Sequence, residues 1–240
     1  MPERRAPEPD LSGGDLPDDL DRLNAEVAEC RACTRLVAWR ERVAREKRAA
    51  FRDEVYWGRA VPGFGDPGAA VLVLGLAPAA HGANRTGRYF TGDRSGSFLM
   101  SSLHRTGFAS QPRTERRDDD LKLYGAWISA AVRCVPPDNR PTPAERDACL
   151  LFLEREMQLL DVSVVVCLGG FAWDAVLRLF PVRPKPKFGH GAEVSVRTGE
   201  RDVTLLGCYH PSQQNTFTGR LKPDMIDAVF RRAGSLAEPR

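Results

Sequence analysis

Four cysteines carry the first chemical signal in this chain: Cys30-x-x-Cys33, then Cys134 and Cys149 about a hundred residues later. Neither pair alone completes a tetrahedral metal site. Together they offer four thiolates, a set that fits Zn²⁺ or an iron–sulfur cluster. Zinc sites usually present their ligands as two close knuckles, whereas fourteen residues separate Cys134 from Cys149. Wide, uneven spacing suits a bulky [4Fe-4S] cluster held between elements, although spacing alone leaves zinc open. Such a group would pin the N-terminal segment to the middle of the fold. Cys167 and Cys208 lie inside apolar runs and are expected to be plain core residues.

Two further groups of residues could act on a ligand. One is Gly75-Leu76-Ala77-Pro78-Ala79-Ala80-His81-Gly82, and the other is His210-Pro211-Ser212. Each follows a short apolar run that reads as a strand. Neither contains a lysine, so no Schiff-base nucleophile is expected there.

The elements that must position these residues follow from the hydrophobic pattern. Val71–Leu74, Ala126–Val132, Val162–Leu168 and Val203–Cys208 are short and almost wholly apolar, as expected of strands buried on both faces. Helical spacing separates them over about 95–106, 143–160, 170–180 and 223–233, and Thr142-Pro-Ala-Glu145 matches a capping box. Residues 19–52 read as two helices with Cys-x-x-Cys at their junction. The expected fold is a three-layer α/β/α sandwich around a mainly parallel four-stranded sheet. The N-terminal helical segment would be tied in by the iron–sulfur cluster. Residues 1–18, rich in Pro, Asp, Glu and Gly, read as a disordered tail, and 19–235 as one domain. In parallel sheets ligands sit beyond the carboxyl ends of the strands, where both loops fall.

Charge is less decisive. The net charge of +3 proves no polyanion partner, but Arg35–Arg52 is strongly basic and Arg183–Lys187 carries no acid. No apolar run reaches the roughly 18–20 residues of a membrane helix, and no signal-peptide core is evident. A cytoplasmic location is therefore expected. Cysteines there stay reduced, which favours metal over disulfide.

The segment Gly75-Leu-Ala-Pro-Ala-Ala-His-Gly-Ala-Asn-Arg-Thr-Gly-Arg-Tyr-Phe-Thr-Gly-Asp93 closely resembles the first motif of the uracil-DNA glycosylase superfamily, most closely its family 5. His210-Pro-Ser-Gln-Gln-Asn-Thr-Phe-Thr-Gly-Arg220 and Ala131–Thr142 are similar to further segments of that family, and the four cysteines stand where families 4 and 5 place [4Fe-4S] ligands. The resemblance spans about residues 28–233. It implies a monofunctional glycosylase that everts uracil from double-stranded DNA and hydrolyses its N-glycosidic bond, with hypoxanthine as a further expected substrate.

The same resemblance implies roles for single residues. Phe90 would stack on the everted base, and His210 would donate a hydrogen bond to the uracil carbonyl. Gly75, Leu76, Ala77 and Asn139 would border the base. Alanine at 77 cannot hold water, so Asn84 is ranked first for that task and Asp93 second, Asp93 having a competing reading as a helix cap. Ser212, Gln213 and Gln214 would enter the minor groove and Arg220 would meet phosphate. Lys185, Lys187 and the Arg40–Arg52 helix are generic candidates for backbone contacts. His81 is open between a loop-shaping and a substrate role, while His104 and His190 read as bland. The chain is expected to act as a monomer. Competing functions are a metal-stabilised damaged-DNA-binding module without catalysis and a nucleotide hydrolase, the latter disfavoured because no phosphate-binding lysine loop is present.

Overall fold

A computed structural model describes residues 16–199 and 201–237. Most of the expected tail, residues 1–15, lies outside the described residues, but its last three positions belong to helix α1 (Leu16–Glu29). Pro17 suits a first helical turn, where a missing N–H leaves no bond unmade. Then follow α2 (Thr34–Glu46), a 3₁₀ turn (Ala49–Phe51), β1 (Phe64–Gly65), β2 (Val71–Gly75), α3 (Ala83–Thr86) and α4 (Arg94–Arg105). The middle of the chain forms β3 (Ala126–Ala130), a 3₁₀ turn (Pro137–Asn139), α5 (Pro143–Leu159), β4 (Val164–Leu168) and α6 (Gly170–Leu179). It closes with β5 (Glu193–Thr198), β6 (Arg201–Cys208), α7 (Gln213–Phe217) and α8 (Pro223–Ala237). The capping box at the start of α5 forms as expected, with Glu145 N donating to Thr142 Oγ1 and Thr142 N donating to Glu145 Oε2.

Among the described residues the strands form one six-stranded sheet in the order β1-β3-β2-β4-β6-β5, which corrects the expected four. The four central strands are the expected ones and are mutually parallel. Both additions are antiparallel edges. β1 is two residues long. β5 is polar and largely solvated, with only Val196 fully buried, so neither edge leaves an apolar run in the sequence.

Strand alternation sorts the core into two layers. Val71, Val73, Val164 and Val166 face α4 and α8, packing on Leu99, Leu103, Ile226 and Phe230. Leu72, Leu74, Val165 and Cys167 face α5 and α6, packing on Leu153, Met157, Trp173 and Val176. A third cluster joins α1, α2 and α5 around Leu23, Val27, Leu36 and Phe152, beside Cys134 and Cys149. Among the described residues no helix is long and apolar enough to cross a membrane.

One charged pair lies wholly inside. Arg133 follows β3, and its guanidinium meets Glu156 of α5 through two hydrogen bonds, 2.9 Å to Oε1 and 2.6 Å to Oε2. Ser129 Oγ and Trp127 Nε1 also donate to that carboxylate. The side chains are 1% and 0% exposed, so neither charge has water to fall back on. Removing one partner strands the other. Glu156→Ala should lower the unfolding free energy by about 3–5 kcal/mol, read by urea denaturation. A loss below about 1 kcal/mol, the scale of a surface pair, would show that the bridge is not holding α5 to the sheet.

Candidate active site

The loops after β2 and β6 converge, with β4 between their strands. They enclose a pocket of about 310 Å³. Leu76, Ala77, Phe90 and Asp93 line it from the first loop and His210 and Ser212 from the second, while Asn139 reaches in from the turn after β3. Pro78, Ala79, Ala83, Tyr89 and Ser95 complete the wall. Most of these were missed on sequence because small and apolar residues in a loop carry no distinctive chemical signal.

Phe90 is held in an unusual backbone conformation, φ +53°. For a bulky residue the left-handed region costs roughly 1–3 kcal/mol, and the surroundings must enforce it. One glycine makes room: a Cβ on Gly96 would collide with the Phe90 carbonyl, whereas Gly75 meets the ring edge at ordinary contact distance. The flanking residues are tied down. Tyr89 Oη donates to the Val61 carbonyl at 2.8 Å, and buried Arg88 donates to Thr91, to Thr114, to Asp119 and to two carbonyls of the 116–117 loop. Asp119 therefore anchors that loop. The Phe90 and His210 rings face each other with centroids 6.1 Å apart and planes 37° from parallel.

His210 lies two residues past β6. Its carbonyl accepts from Asn215 Nδ2 at 2.8 Å, which fixes the loop from within α7. Ser212 caps α7, accepting from Asn215 N. Loss of hydration holds the His210 imidazole down to about 4, so the ring is neutral near pH 7 and can donate from one nitrogen without carrying charge.

Asp93 caps α4, with Oδ1 accepting from Gly96 N at 2.7 Å, and its carboxylate also faces the pocket. Its other oxygen fills the space where a Cβ of Gly82 would stand. Desolvation raises its pKa against the backbone N–H groups of Gly96 and Ser95 and the charge of Arg85. Asn84, ranked ahead of it on sequence, is fully buried and does not line the pocket; its Nδ2 donates to the Arg40 carbonyl at 3.2 Å. The first helical turn of α3 directs this side chain inward, which loop composition could not reveal. Gly75 likewise supports the Phe90 ring rather than lining the cavity. His81 takes the loop-shaping role, its Nδ1 3.0 Å from Tyr56 Oη. Asn139 has φ +55° in its 3₁₀ turn, so turn chemistry and pocket lining coincide at that residue.

Beyond the pocket mouth, Gln213, Gln214 and Arg220 are exposed and do not line the cavity. Phe217, 69% exposed, stands beside them with the Arg94 guanidinium 5.5 Å from its ring. An aromatic among polar loop residues was the available signal for it. Lys185 pairs with Asp174 at 2.7 Å, and Lys187 is exposed. Arg40 is buried, which removes it from the expected surface contacts of its helix.

Arg40 points instead at the cysteines. Cys30, Cys33, Cys134 and Cys149 line one small pocket between α2, α5 and the end of β3, and all four are free. Arg40 Nη1 donates to Cys134 Sγ and Nη2 to the Cys30 carbonyl, each at 3.0 Å, while Nε is buried without an acceptor. The Arg133 backbone N–H donates to Cys149 Sγ at 3.3 Å. A buried guanidinium aimed at thiols, with no carboxylate partner among the described residues, lacks a counter-charge unless the sulfurs are anionic. Metal-bound thiolates would provide it. Among the described residues no three or more His, Cys, Asp or Glu groups gather closely enough to hold a single ion. Four thiols around one pocket suit a metal–thiolate group.

The chain is similar to known proteins over most of its length. A family model described as the uracil DNA glycosylase superfamily matches residues 62–234. A type-5 uracil-DNA glycosylase of Mycobacterium tuberculosis is 53% identical over 231 residues, covering 95% of this chain and 84% of the relative. One of Thermus thermophilus is 52% identical over 221 residues, covering 91% and 99%. A type-4 uracil-DNA glycosylase of Archaeoglobus fulgidus is 30% identical over 178 residues, covering 73% and 81%.

The burial of His210 has a direct spectroscopic consequence. Its ring should titrate near 4 in an NMR pH series, and a midpoint near the ordinary 6.5 would show a hydrated ring rather than a pocket wall. Because the folded value lies below the unfolded one, the unfolded chain binds the extra proton first. This group therefore leaves stability intact above about pH 6.5 and erodes it as pH falls toward 4.

Proposed function

This chain belongs to the uracil DNA glycosylase superfamily, and on that footing we propose that the Phe90–His210 pocket receives a uracil everted from duplex DNA. The protein is a DNA repair glycosylase that hydrolyses the bond between uracil and deoxyribose, leaving an abasic site. The observation that carries the reading is the pairing of two rings, supplied by distant loops, across one cavity.

Cleavage leaves positive charge on the sugar and negative charge on the departing base. Phe90 offers a stacking face for an unpaired base, which gives affinity with little selectivity. Neutral His210 donates to the uracil carbonyl where charge accumulates, and a fixed donor at a dry wall stabilises that charge without reorganising. Asp93 is the residue we assign to water. One of its oxygens is committed to the α4 cap, and the carboxylate faces the same cavity. Ala77 contributes no polar group, so the reaction relies on bond breaking running ahead of nucleophilic attack. A pocket with few polar selectors also suits hypoxanthine, which we propose as a second substrate. Phe217, with Gln213 and Gln214, is placed to fill the gap an everted nucleotide leaves, in the manner of apolar wedges. Arg94, over the Phe217 ring, and exposed Arg220 are the residues we assign to phosphate.

We assign Cys30, Cys33, Cys134 and Cys149 as the holders of a [4Fe-4S] cluster. When bound it would supply a cross-link between α2, α5 and β3 and a counter-charge to Arg40, and the hydrolysis itself moves no electrons. Purified protein should carry about four irons per chain and absorb broadly near 400 nm, as iron–thiolate clusters do. Zinc alone, or no metal, would defeat this assignment.

Activity is tested with a duplex holding one uracil, treated with alkali to cut at abasic sites. His210→Ala should slow excision by at least about 100-fold, as removal of a transition-state donor does, while still binding the duplex. Wild-type protein that binds but never cuts would reduce the chain to a recognition module.

A further inference from the structure

His190 looked bland in the sequence but is held in place by an unusual turn. The Gly189–Gly191 turn is docked on β6: Gly191 N donates to the Gly207 carbonyl at 2.7 Å, and Gly207 N to the Ala192 carbonyl at 2.8 Å. A Cβ on Gly207 would run into the Gly189 carbonyl oxygen, so glycine is what lets the turn approach. Seated there, His190 presents Nδ1 to the Tyr209 backbone N–H at 3.2 Å. Its ring lies 5.1 Å from the Tyr209 ring, which Phe188 at 6.2 Å and the Arg220 guanidinium at 4.6 Å confine from other sides.

Tyr209 is the single residue between the end of β6 and His210. Pairing of β6 with β5 has ended by Leu206, and pairing with β4 ends at Cys208. No strand is left to accept the Tyr209 N–H, and an imidazole side chain takes that place. A part-buried amide left without an acceptor is unfavourable and loosens the loop that carries it.

We propose that His190 is a positioning residue for His210, its Nδ1 anchoring the peptide unit that sets the direction in which His210 enters the pocket. This rests on the reading of His210 as the donor to uracil. Accepting at Nδ1 requires the proton on Nε2; His190 and Met225, at the start of α8, line one pocket. Burial lowers the His190 pKa, which keeps Nδ1 an acceptor.

Two substitutions separate this role from simple packing. In His190→Asn the amide oxygen takes the position of Nδ1 and keeps the bond to Tyr209. In His190→Gln the amide reaches toward Met225 and offers nothing to Tyr209. Single-turnover uracil excision should fall about tenfold in the Gln variant, the order of cost of a small misplacement, and return to within about twofold of wild type in the Asn variant. Affinity for a duplex carrying non-hydrolysable 2′-fluorodeoxyuridine should match wild type in both. Hydrogen exchange at the Tyr209 amide should accelerate in the Gln variant alone. A Gln variant as fast as wild type, or an Asn variant as slow as Gln, overturns the proposal. Wild-type activity in His210→Ala would instead remove the reading beneath it, so the two failures are distinct.

Discussion

The pocket depends on one packing constraint: Phe90 takes a left-handed backbone conformation and its ring, packed at the edge of the core, faces His210. The conformation is unfavourable for a phenylalanine, and it persists because neighbouring groups leave no alternative. Gly96 in the first turn of α4 lets the Phe90 carbonyl approach. Arg88, tied to Asp119 and Thr114, and Tyr89, tied to Val61, grip the chain immediately before.

A second network ties the cysteine pocket to the same loop. The Arg40 guanidinium reaches Cys134 and the Cys30 carbonyl, and the Arg40 carbonyl accepts from Asn84. Asn84 N in turn donates to the Ala79 carbonyl, within the wall of the base pocket. A chain of backbone and amide hydrogen bonds thus connects the four-cysteine region to Ala79, two residues from Ala77. The buried Arg133–Glu156 bridge reinforces the connection, since Arg133 also donates its N–H to Cys149.

The central architecture was legible in the sequence because it is written in runs of apolar residues. Val71–Leu74 and Val162–Leu168 are buried on both faces and show it, and Thr142 with Glu145 marked the start of α5. β5 was not legible, because an edge strand with one fully buried residue resembles a polar loop. At the site, Phe90, His210, Ala77 and Asn139 were found by motif and fall together in space. Asn84 was ranked ahead of Asp93, yet of the two only Asp93 lines the pocket. Both are polar residues of one loop, and only the turn at Ala83–Thr86 decides that Asn84 points inward toward Arg40. His190 was invisible for a related reason: its importance lies in a bond to a backbone amide far along the chain, which no local pattern encodes.

The claim beneath all of this is that Phe90 and His210 act on one base in one cavity, and a double-mutant cycle tests it most directly. Single-turnover excision would be measured for wild type, Phe90→Ala, His210→Ala and the double variant on the same uracil duplex. Residues gripping a shared substrate should be strongly non-additive, the double variant losing less than the product of the single losses by a coupling of about 1 kcal/mol or more. Strict additivity would mean that the two rings act independently, and the shared pocket would not be the place where uracil is removed.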